Sequence, residues 1–194
     1  MLASFDKSRF FTAEQYIQAS SNMIEGMLQT GNPFIIIANH KISSDELTDG
    51  LKFSSHNLIL PALFCLYQGI ELLLKGFVYI KSTKHSKHNA EDLCRRFSDH
   101  YPEEVELIKL FSVFLSSPKE FIEEYKQTNN IQTVAEFYNS LRYPEQKDGR
   151  LYDYDPLMLA GNERFLPQVV ELYNDIEQLL SLSVRLFRAL DDTN

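Results

Sequence analysis

Polar side chains interrupt an otherwise apolar stretch of the sequence, LYQGIELLLKGFVYI, which begins at Leu66. Gln68, Glu71 and Lys75 are spaced by three and four residues, so they share one side of a helix. A carboxylate four residues before an ammonium can form an intrahelical ion pair on a narrow exposed stripe. The same residues could instead form a partly buried polar seam that lines a cleft or an interface. The sequence leaves both interpretations open.

A basic segment follows this stretch. Six basic and two acidic residues lie from Lys75 to Arg96, although the whole chain has a formal net charge of −8. The basic residues are Lys75, Lys81, Lys84, Lys87, Arg95 and Arg96. A local reversal of charge in an acidic protein indicates a candidate anion site. A solvated loop with mobile lysines would have the same composition.

Two histidines of the basic segment, His85 and His88, raise the question of a metal site, with Asp92 four residues further on. The neighbouring lysines repel cations, and no HExxH-type helix accompanies the pair. The sequence also lacks a glycine-rich phosphate loop and a nucleophile elbow. We therefore predict no metal ion and no cofactor.

Composition and charge exclude several classes of protein. A chain of 194 residues with this net charge is too acidic to coat nucleic acid in bulk. Two cysteines, Cys65 and Cys94, do not make a disulfide framework, so we predict a reducing, cytoplasmic setting. The first fifteen residues lack the pattern of a secretory signal. The charged residues within 58–80 argue against a membrane span.

The small number of glycines and prolines, seven of each, and the helical spacing of apolar residues predict an all-α protein. The first half is predicted to hold four helices. The first covers 11–30 with a Thr12–Gln15 capping box, and a short second one runs from a Ser43–Glu46 box to about Phe53. The third covers about 57–80 with Pro61 near its first turn, and the fourth is capped by Asn89. The segment 33–42 fits a short strand or a helical turn.

The second half is predicted to begin with a helix from Pro102 and a helix capped by Ser117, with Pro118 and Glu120 behind the cap. A third helix is ended by Pro144. A small hairpin around Asp148-Gly149 and a last helix over about 163–190 follow. In the last helix an apolar seam recurs every three or four residues, at Phe165, Val169, Leu172, Ile176, Leu179, Ser183, Phe187 and Leu190. This seam fits a bundle helix or a dimer face. We predict one all-α domain over 1–194, a helical bundle with several short peripheral helices.

The helix LFCLYQGIELLLKGFVYI, a loop with histidine and a helix that begins near HNAEDL together resemble the HEPN family (higher eukaryotes and prokaryotes nucleotide-binding). The later FYNSLRYPE resembles the Arg-Tyr element that many bacterial members carry before their last helix. The resemblance spans about 58–190. It implies a HEPN-like core over that range and an N-terminal helical extension over 1–57.

The resemblance also implies a function. Many HEPN proteins dimerise and cut RNA without a metal, using an arginine and a histidine a few positions beyond it. The arginine would stabilise charge on the phosphate and the histidine would move a proton. Arg142 matches the arginine of the family, but no histidine follows it in this sequence. This departure argues against nuclease activity.

The leading hypothesis is therefore a dimeric nucleotide- or RNA-binding module without strong catalysis. Its anion-binding residues are predicted to be Lys75, Lys81, Lys84, Lys87, His88 and Arg142. Glu71 is predicted to orient Lys75 or Arg142 through a charge-assisted hydrogen bond. In a purely structural alternative, Arg142 pairs with Glu145, Asp148 or Asp153 and only holds the loop that follows it.

Two further hypotheses remain open. The protein could be a metal-independent ribonuclease of the toxin–antitoxin or phage-defence kind that uses Arg142, or Arg95 with His100. The spacing of Arg95 and His100 in RRFSDH matches the family motif by letter. Alternatively, it could be an interaction protein that docks a nucleotidyltransferase-type partner, by analogy with paired members of the family.

Overall fold

Apolar residues at helical spacing fold into most of the helices that the sequence predicts. The computed structural model describes residues 4–32, 40–81, 89–116, 118–146, 148–159 and 166–193. They form α1 (Ser4–Gln29), α2 (Ser44–Leu51), α3 (Ser55–Lys81), α4 (Ala90–His100), α5 (Val105–Ser116), α6 (Glu120–Thr128), α7 (Val134–Arg142), a 3₁₀ turn (Asp155–Leu157) and α8 (Leu166–Thr193). The fold is an all-α helical bundle, as predicted.

Helix α3 is the centre of this bundle. Fifteen of its residues are buried, and it packs against α1, α4 and α7. By length and composition alone α3 could cross a membrane, and half of its most apolar window is buried inside the bundle. The helix begins at Ser55, so Pro61 lies in its second turn rather than its first. Both Pro61 and Asn57 are exposed, so water can hydrate the Asn57 carbonyl that the proline leaves without a donor.

Helices α1 and α3 approach each other closely at Gly69. A β-carbon built at Gly69 would lie 2.4 Å from Cγ1 of Ile17 and 3.1 Å from the carbonyl oxygen of Ala13. Both α1 residues are buried in the same hydrophobic core as α3. A glycine here lets the two backbones meet without strain. The predicted boundary between an extension over 1–57 and a core stays a prediction, although α1 belongs to this hydrophobic core.

We expect the substitution Gly69→Ala to lower the free energy of unfolding by about 1–2 kcal/mol, because overpacking outweighs the gain in helix propensity. Gly76→Ala is a matched control in the same helix, since no described atom outside its own stretch of helix lies within 4 Å of a β-carbon built there. That control should raise the free energy of unfolding by about 1 kcal/mol. Urea unfolding followed by circular dichroism measures both variants. Shifts of the same sign and size would contradict the close contact at Gly69.

An aromatic cluster holds α4 and α5 against α3. The ring centroid of Phe77 lies 5.5 Å from that of Phe97 and 6.0 Å from that of Tyr101. Phe97 in turn lies 5.1 Å from Phe111 in α5. The hydroxyl of Tyr101 donates a hydrogen bond of 3.0 Å to the carbonyl of Phe77. These contacts fix α4 alongside α3.

The predicted apolar seam of the last helix is used inside the chain. Its buried members are Val169, Leu172, Ile176, Leu179, Ser183 and Phe187. Leu190 is partly buried, and Phe165 lies outside the described residues. Phe187 stacks on Phe10 of α1 with ring centroids 4.0 Å apart. The seam therefore belongs to a bundle helix, and its interpretation as a dimer face is wrong.

Helix α1 begins earlier than predicted. It starts at Ser4, so Thr12 lies inside it, and the threonine hydroxyl donates to the carbonyl of Ser8 at 2.8 Å. The predicted capping box of Thr12 and Gln15 is wrong, because a threonine inside a helix can bond back to the preceding turn.

Two later helices begin after the predicted residue. Helix α5 begins at Val105 rather than Pro102, and α6 begins at Glu120 with Lys119 as its N-cap, so the predicted start at Pro118 is wrong. The side chain of Lys119 points to another helix instead, and its Nζ lies 2.7 Å from a carboxylate oxygen of Asp175 in α8. Ser117, the predicted cap of this helix, lies outside the described residues.

Other predicted boundaries are confirmed. Ser43 and Glu46 form the capping box of α2, and the side chain of Asn89 caps α4. Helix α7 ends at Arg142, before Pro144. The chain then makes the predicted small hairpin, with a bridge between residues 145 and 151 and a positive φ of 83° at Gly149.

Candidate functional site

A cleft opens between α3, the start of α4 and one face of α7. Its volume is about 330 Å³, which is in the range of small-molecule sites. The lining residues are Tyr67, Glu71, Ala90, Val134, Ala135, Tyr138, Asn139 and Arg142. Val134, Tyr138 and Arg142 are spaced by four residues, so one face of α7 forms a wall of the cleft. Two residues singled out by the sequence, Glu71 and Arg142, thus lie in one cleft.

Glu71 brings a buried charge to this cleft. Its Oε1 lies 2.5 Å from Nζ of Lys75, and both residues are only 9% exposed. The predicted intrahelical ion pair is therefore present, but its placement on an exposed stripe is wrong, because neighbouring helices cover this side of α3. Gln68, the third polar residue of the seam, accepts a hydrogen bond from the hydroxyl of Tyr138. The seam is therefore partly buried, as in the second interpretation, and Glu71 is its member that lines the cleft.

Arg142 ends α7 beside the cleft and is exposed to solvent. Its Cζ lies 5.2 Å from the ring centroid of Tyr138 and 5.7 Å from that of Tyr143, within cation–π range. Among the residues that the structure describes, no carboxylate forms an ion pair with Arg142. Asp148 pairs with Arg150 instead, at 2.8 Å. The alternative in which Arg142 only pins the following loop through an ion pair is therefore wrong.

Tyr138 connects the polar seam to Arg142. Its ring is nearly parallel to that of Phe64, with centroids 5.8 Å apart, and its hydroxyl bonds to Gln68. Burial raises the pKa of Tyr138 to about 12, while the charge of Arg142 lowers it and that of Glu71 raises it. The phenol therefore stays neutral at physiological pH and acts as a hydrogen-bond donor.

We expect Tyr138 to make stability depend on pH only in the alkaline range. Its pKa is raised from 10.0 to about 12 in the folded chain, so the unfolded chain loses the phenolic proton first. The free energy of unfolding should thus keep the full contribution of Tyr138 below about pH 10 and lose it as the pH rises towards 12. Alkaline unfolding curves of the wild type and Tyr138→Phe measure this difference. Curves of identical shape would contradict it.

The predicted anion-binding residues divide into three groups. Arg142 lines the cleft. Lys75 does not line it, but its ammonium forms an ion pair with Glu71, which does. Lys81 is exposed at the end of α3, with its Nζ 5.6 Å from the ring centroid of Tyr101, and does not line the cleft. Lys84, Lys87 and His88 lie outside the described residues. Asn89, the next residue, caps α4, and Ala90 lines the cleft.

The second predicted arginine and histidine pair lies elsewhere. Arg95 is exposed on α4 and forms ion pairs with Asp92 at 2.5 Å and with Asp99 at 3.7 Å. Neither Arg95 nor His100 is among the residues that line the cleft. Their catalytic role stays a prediction.

The described ranges hold no cluster of three His, Cys, Asp or Glu side chains that could bind a metal ion. The two histidines considered for such a site, at positions 85 and 88, fall in the gap between α3 and α4.

Tyr138 and Asn139 line the cleft but were not predicted from the sequence. A signal for Tyr138 was present, because it lies four residues before Arg142 and thus on the same face of α7. Asn139 lies on the neighbouring face, so the spacing alone did not single it out. Tyr67 precedes the polar seam by one residue and also donates its hydroxyl to the carbonyl of Phe114 at 2.8 Å.

The fold and the site together define an all-α bundle with an arginine- and tyrosine-lined cleft over a buried Glu–Lys pair. Comparisons with protein-family models, with curated proteins and with solved structures gave no match for this chain.

Proposed function

We propose that this protein is a nucleotide- or RNA-binding module that works as a dimer and lacks strong catalysis. The observation that supports this proposal most directly is the position of Arg142. Its guanidinium lies at a cleft of about 330 Å³, and no described carboxylate neutralises it. Phosphate oxygens are the partners that a guanidinium fork binds best, often through two parallel hydrogen bonds.

The walls of the cleft suit the remainder of a nucleotide. The rings of Tyr67 and Tyr138 and the side chains of Val134 and Ala135 offer apolar surface against which the sugar of a nucleotide can pack. The amide of Asn139 offers both a donor and an acceptor of hydrogen bonds. A site with mostly apolar walls and a few placed polar groups is typical of small-molecule binding.

The charge of the whole chain favours a short ligand. With a formal net charge of −8, the protein repels a long polyanion except where a local basic group contacts it. Within the cleft, Arg142 provides that contact, whereas the positive charge of Lys75 is paired with Glu71. We therefore propose one or two phosphate contacts and a correspondingly shallow dependence of affinity on salt.

We expect Arg142→Ala to weaken the binding of nucleotides or single-stranded RNA about tenfold or more, since a charge-assisted contact to phosphate is worth about 1.5–3 kcal/mol. Arg150→Ala is the matched control: Arg150 is also exposed, but it is paired with Asp148 and does not line the cleft. Isothermal titration calorimetry or fluorescence anisotropy at two salt concentrations measures both variants. Equal weakening in both variants, or no binding by the wild type, would contradict the proposal.

The same samples test the two other hypotheses. Cleavage of labelled RNA in EDTA by the wild type, and not by Arg142→Ala, would support the ribonuclease in place of the binding module. If the wild type neither binds nor cleaves any nucleotide or RNA, the remaining hypothesis is that the protein docks a nucleotidyltransferase-type partner. Light scattering of the purified protein tests the proposed dimer independently of any ligand.

A further inference from the structure

Tyr143, directly after α7, presents an exposed aromatic ring beside Arg142. The residue is 56% exposed, although the guanidinium lies 5.7 Å from its ring centroid. Its backbone is extended, with φ −127° and ψ 130°, so the chain leaves the helix at this residue. Tyr143 does not join the nearby aromatic cluster, in which Tyr154 stacks on Tyr125 with centroids 5.7 Å apart. The ring is thus left at the surface next to the arginine of the cleft.

The backbone that carries this ring is held on both sides. The N–H of Tyr143 donates to the carbonyl of Asn139 at 3.0 Å. The carbonyl of Tyr143 accepts a hydrogen bond of 3.4 Å from the hydroxyl of Tyr154. Pro144 follows, and its own carbonyl accepts a bond of 3.0 Å from the N–H of Tyr152. A ring on such an anchored backbone loses little conformational entropy when a planar ligand stacks on it.

Two neighbouring side chains suit the two halves of one nucleotide. The exposed ring of Tyr143 suits the base, and Arg142, which has no described carboxylate partner, suits the phosphate. Proteins that bind single strands combine a positive group for the phosphate with an aromatic side chain on which a base stacks. Such stacking is possible only for a base that is not already paired within a duplex. An exposed ring beside this arginine therefore suits an accessible base with a phosphate attached.

We propose that Tyr143 is a stacking platform for an unpaired nucleobase whose phosphate binds Arg142. This inference rests on the proposed function and specifies its ligand: a free nucleotide or a single-stranded segment of RNA, and not a duplex. Arg142, flanked by the rings of Tyr138 and Tyr143, is oriented by both of them. Tyr143 contacts the base and Arg142 contacts the phosphate, so their contributions to affinity can be measured separately.

The absence of tryptophan from the sequence makes a direct test possible. The variant Tyr143→Trp carries a single indole at the proposed platform. The probes are the four ribonucleoside 5′-monophosphates, ribose 5-phosphate, and one RNA sequence as a single strand and as a duplex. We expect the nucleotides and the single strand to quench the indole fluorescence, and ribose 5-phosphate and the duplex to leave it unchanged. Phe11→Trp is the matched control, since Phe11 is 52% exposed on α1 and does not line the cleft.

Affinity provides the second measurement. We expect Tyr143→Leu to weaken the binding of nucleotides by about 5- to 100-fold, as the loss of one stacked base does, and Tyr143→Phe to keep the wild-type affinity. The affinity for ribose 5-phosphate should be the same in all three proteins. Comparison of the free nucleotides with the single strand shows which source of the base is preferred, and a preference for either one supports the platform.

Three results would overturn the inference, and they are distinguishable. If nucleotides bind the wild type and Arg142→Ala weakens them, but Tyr143→Leu binds as well as the wild type, the stacking platform is wrong and the proposed function stands. Equal binding of single-stranded and duplex RNA would likewise show that the platform is wrong. If no probe binds the wild type at all, the proposed function fails and the platform fails with it.

Discussion

Replacement of Lys75 with methionine is expected to lower the free energy of unfolding by about 3 kcal/mol. The substitution keeps most of the apolar stem but leaves the Glu71 carboxylate, only 9% exposed, without the ammonium that lies 2.5 Å from it. A buried charge that loses its partner no longer offsets the cost of leaving water. Chemical denaturation at neutral pH measures the change.

The control for this prediction is the double variant Glu71→Leu/Lys75→Met. Because it removes both charges and fills the space with apolar atoms, it should be more stable than Lys75→Met and come close to the wild type. The single variant Glu71→Leu completes the comparison. If the double variant loses as much stability as Glu71→Leu and Lys75→Met added together, the pair is not coupled and the prediction is wrong.

Phe77→Ala is expected to cost about 4 kcal/mol of stability, the largest loss that we predict for a single substitution. Phe77 is 1% exposed and lies within 6.0 Å of the rings of Phe10, Phe97 and Tyr101. Its removal leaves a cavity where α1, α3 and α4 meet, and rigid neighbouring rings cannot collapse into it fully. Thermal and urea unfolding both report this loss.

The matched control is Phe11→Ala, which removes the same side chain from a position that is 52% exposed. We expect this variant to lose about 1 kcal/mol or less, because little buried area is removed. Similar losses for both phenylalanines would show that the ring cluster around Phe77 does not carry the stability assigned to it.

Much of the helical fold could be predicted from local chemistry. Ser43 with Glu46, Asn89, and Pro144 after Arg142 act through contacts within a few residues, so their patterns predict the ends of helices correctly. Thr12 shows where this reasoning fails. Its hydroxyl bonds to the carbonyl of Ser8 in the preceding turn instead of capping a helix.

The site was only partly predictable. Glu71 and Arg142 were identified separately, by helical spacing and by the family resemblance, and the fold places both in one cleft. Helical spacing also showed that Glu71 and Lys75 could pair, but burial of that pair depends on α4 and α7, whose packing no local pattern encodes. Tyr143 was noted only as part of the Arg-Tyr element, since exposure of a ring after a helix is a property of the folded chain.

The pairing of α1 with α8 has a consequence for the order in which the fold assembles. The ion pair between Lys7 and Asp191 joins residues that are 184 positions apart, whereas the contact of α1 with α3 closes a far shorter loop. The entropic cost of closing a loop grows by only about 0.6 kcal/mol for each doubling of its length. Once formed, the contact between α1 and α8 therefore costs little more entropy than the contact between α1 and α3. Contacts between distant segments nevertheless form slowly. We therefore expect α1 and α3 to pack together first and α8 to dock on them afterwards.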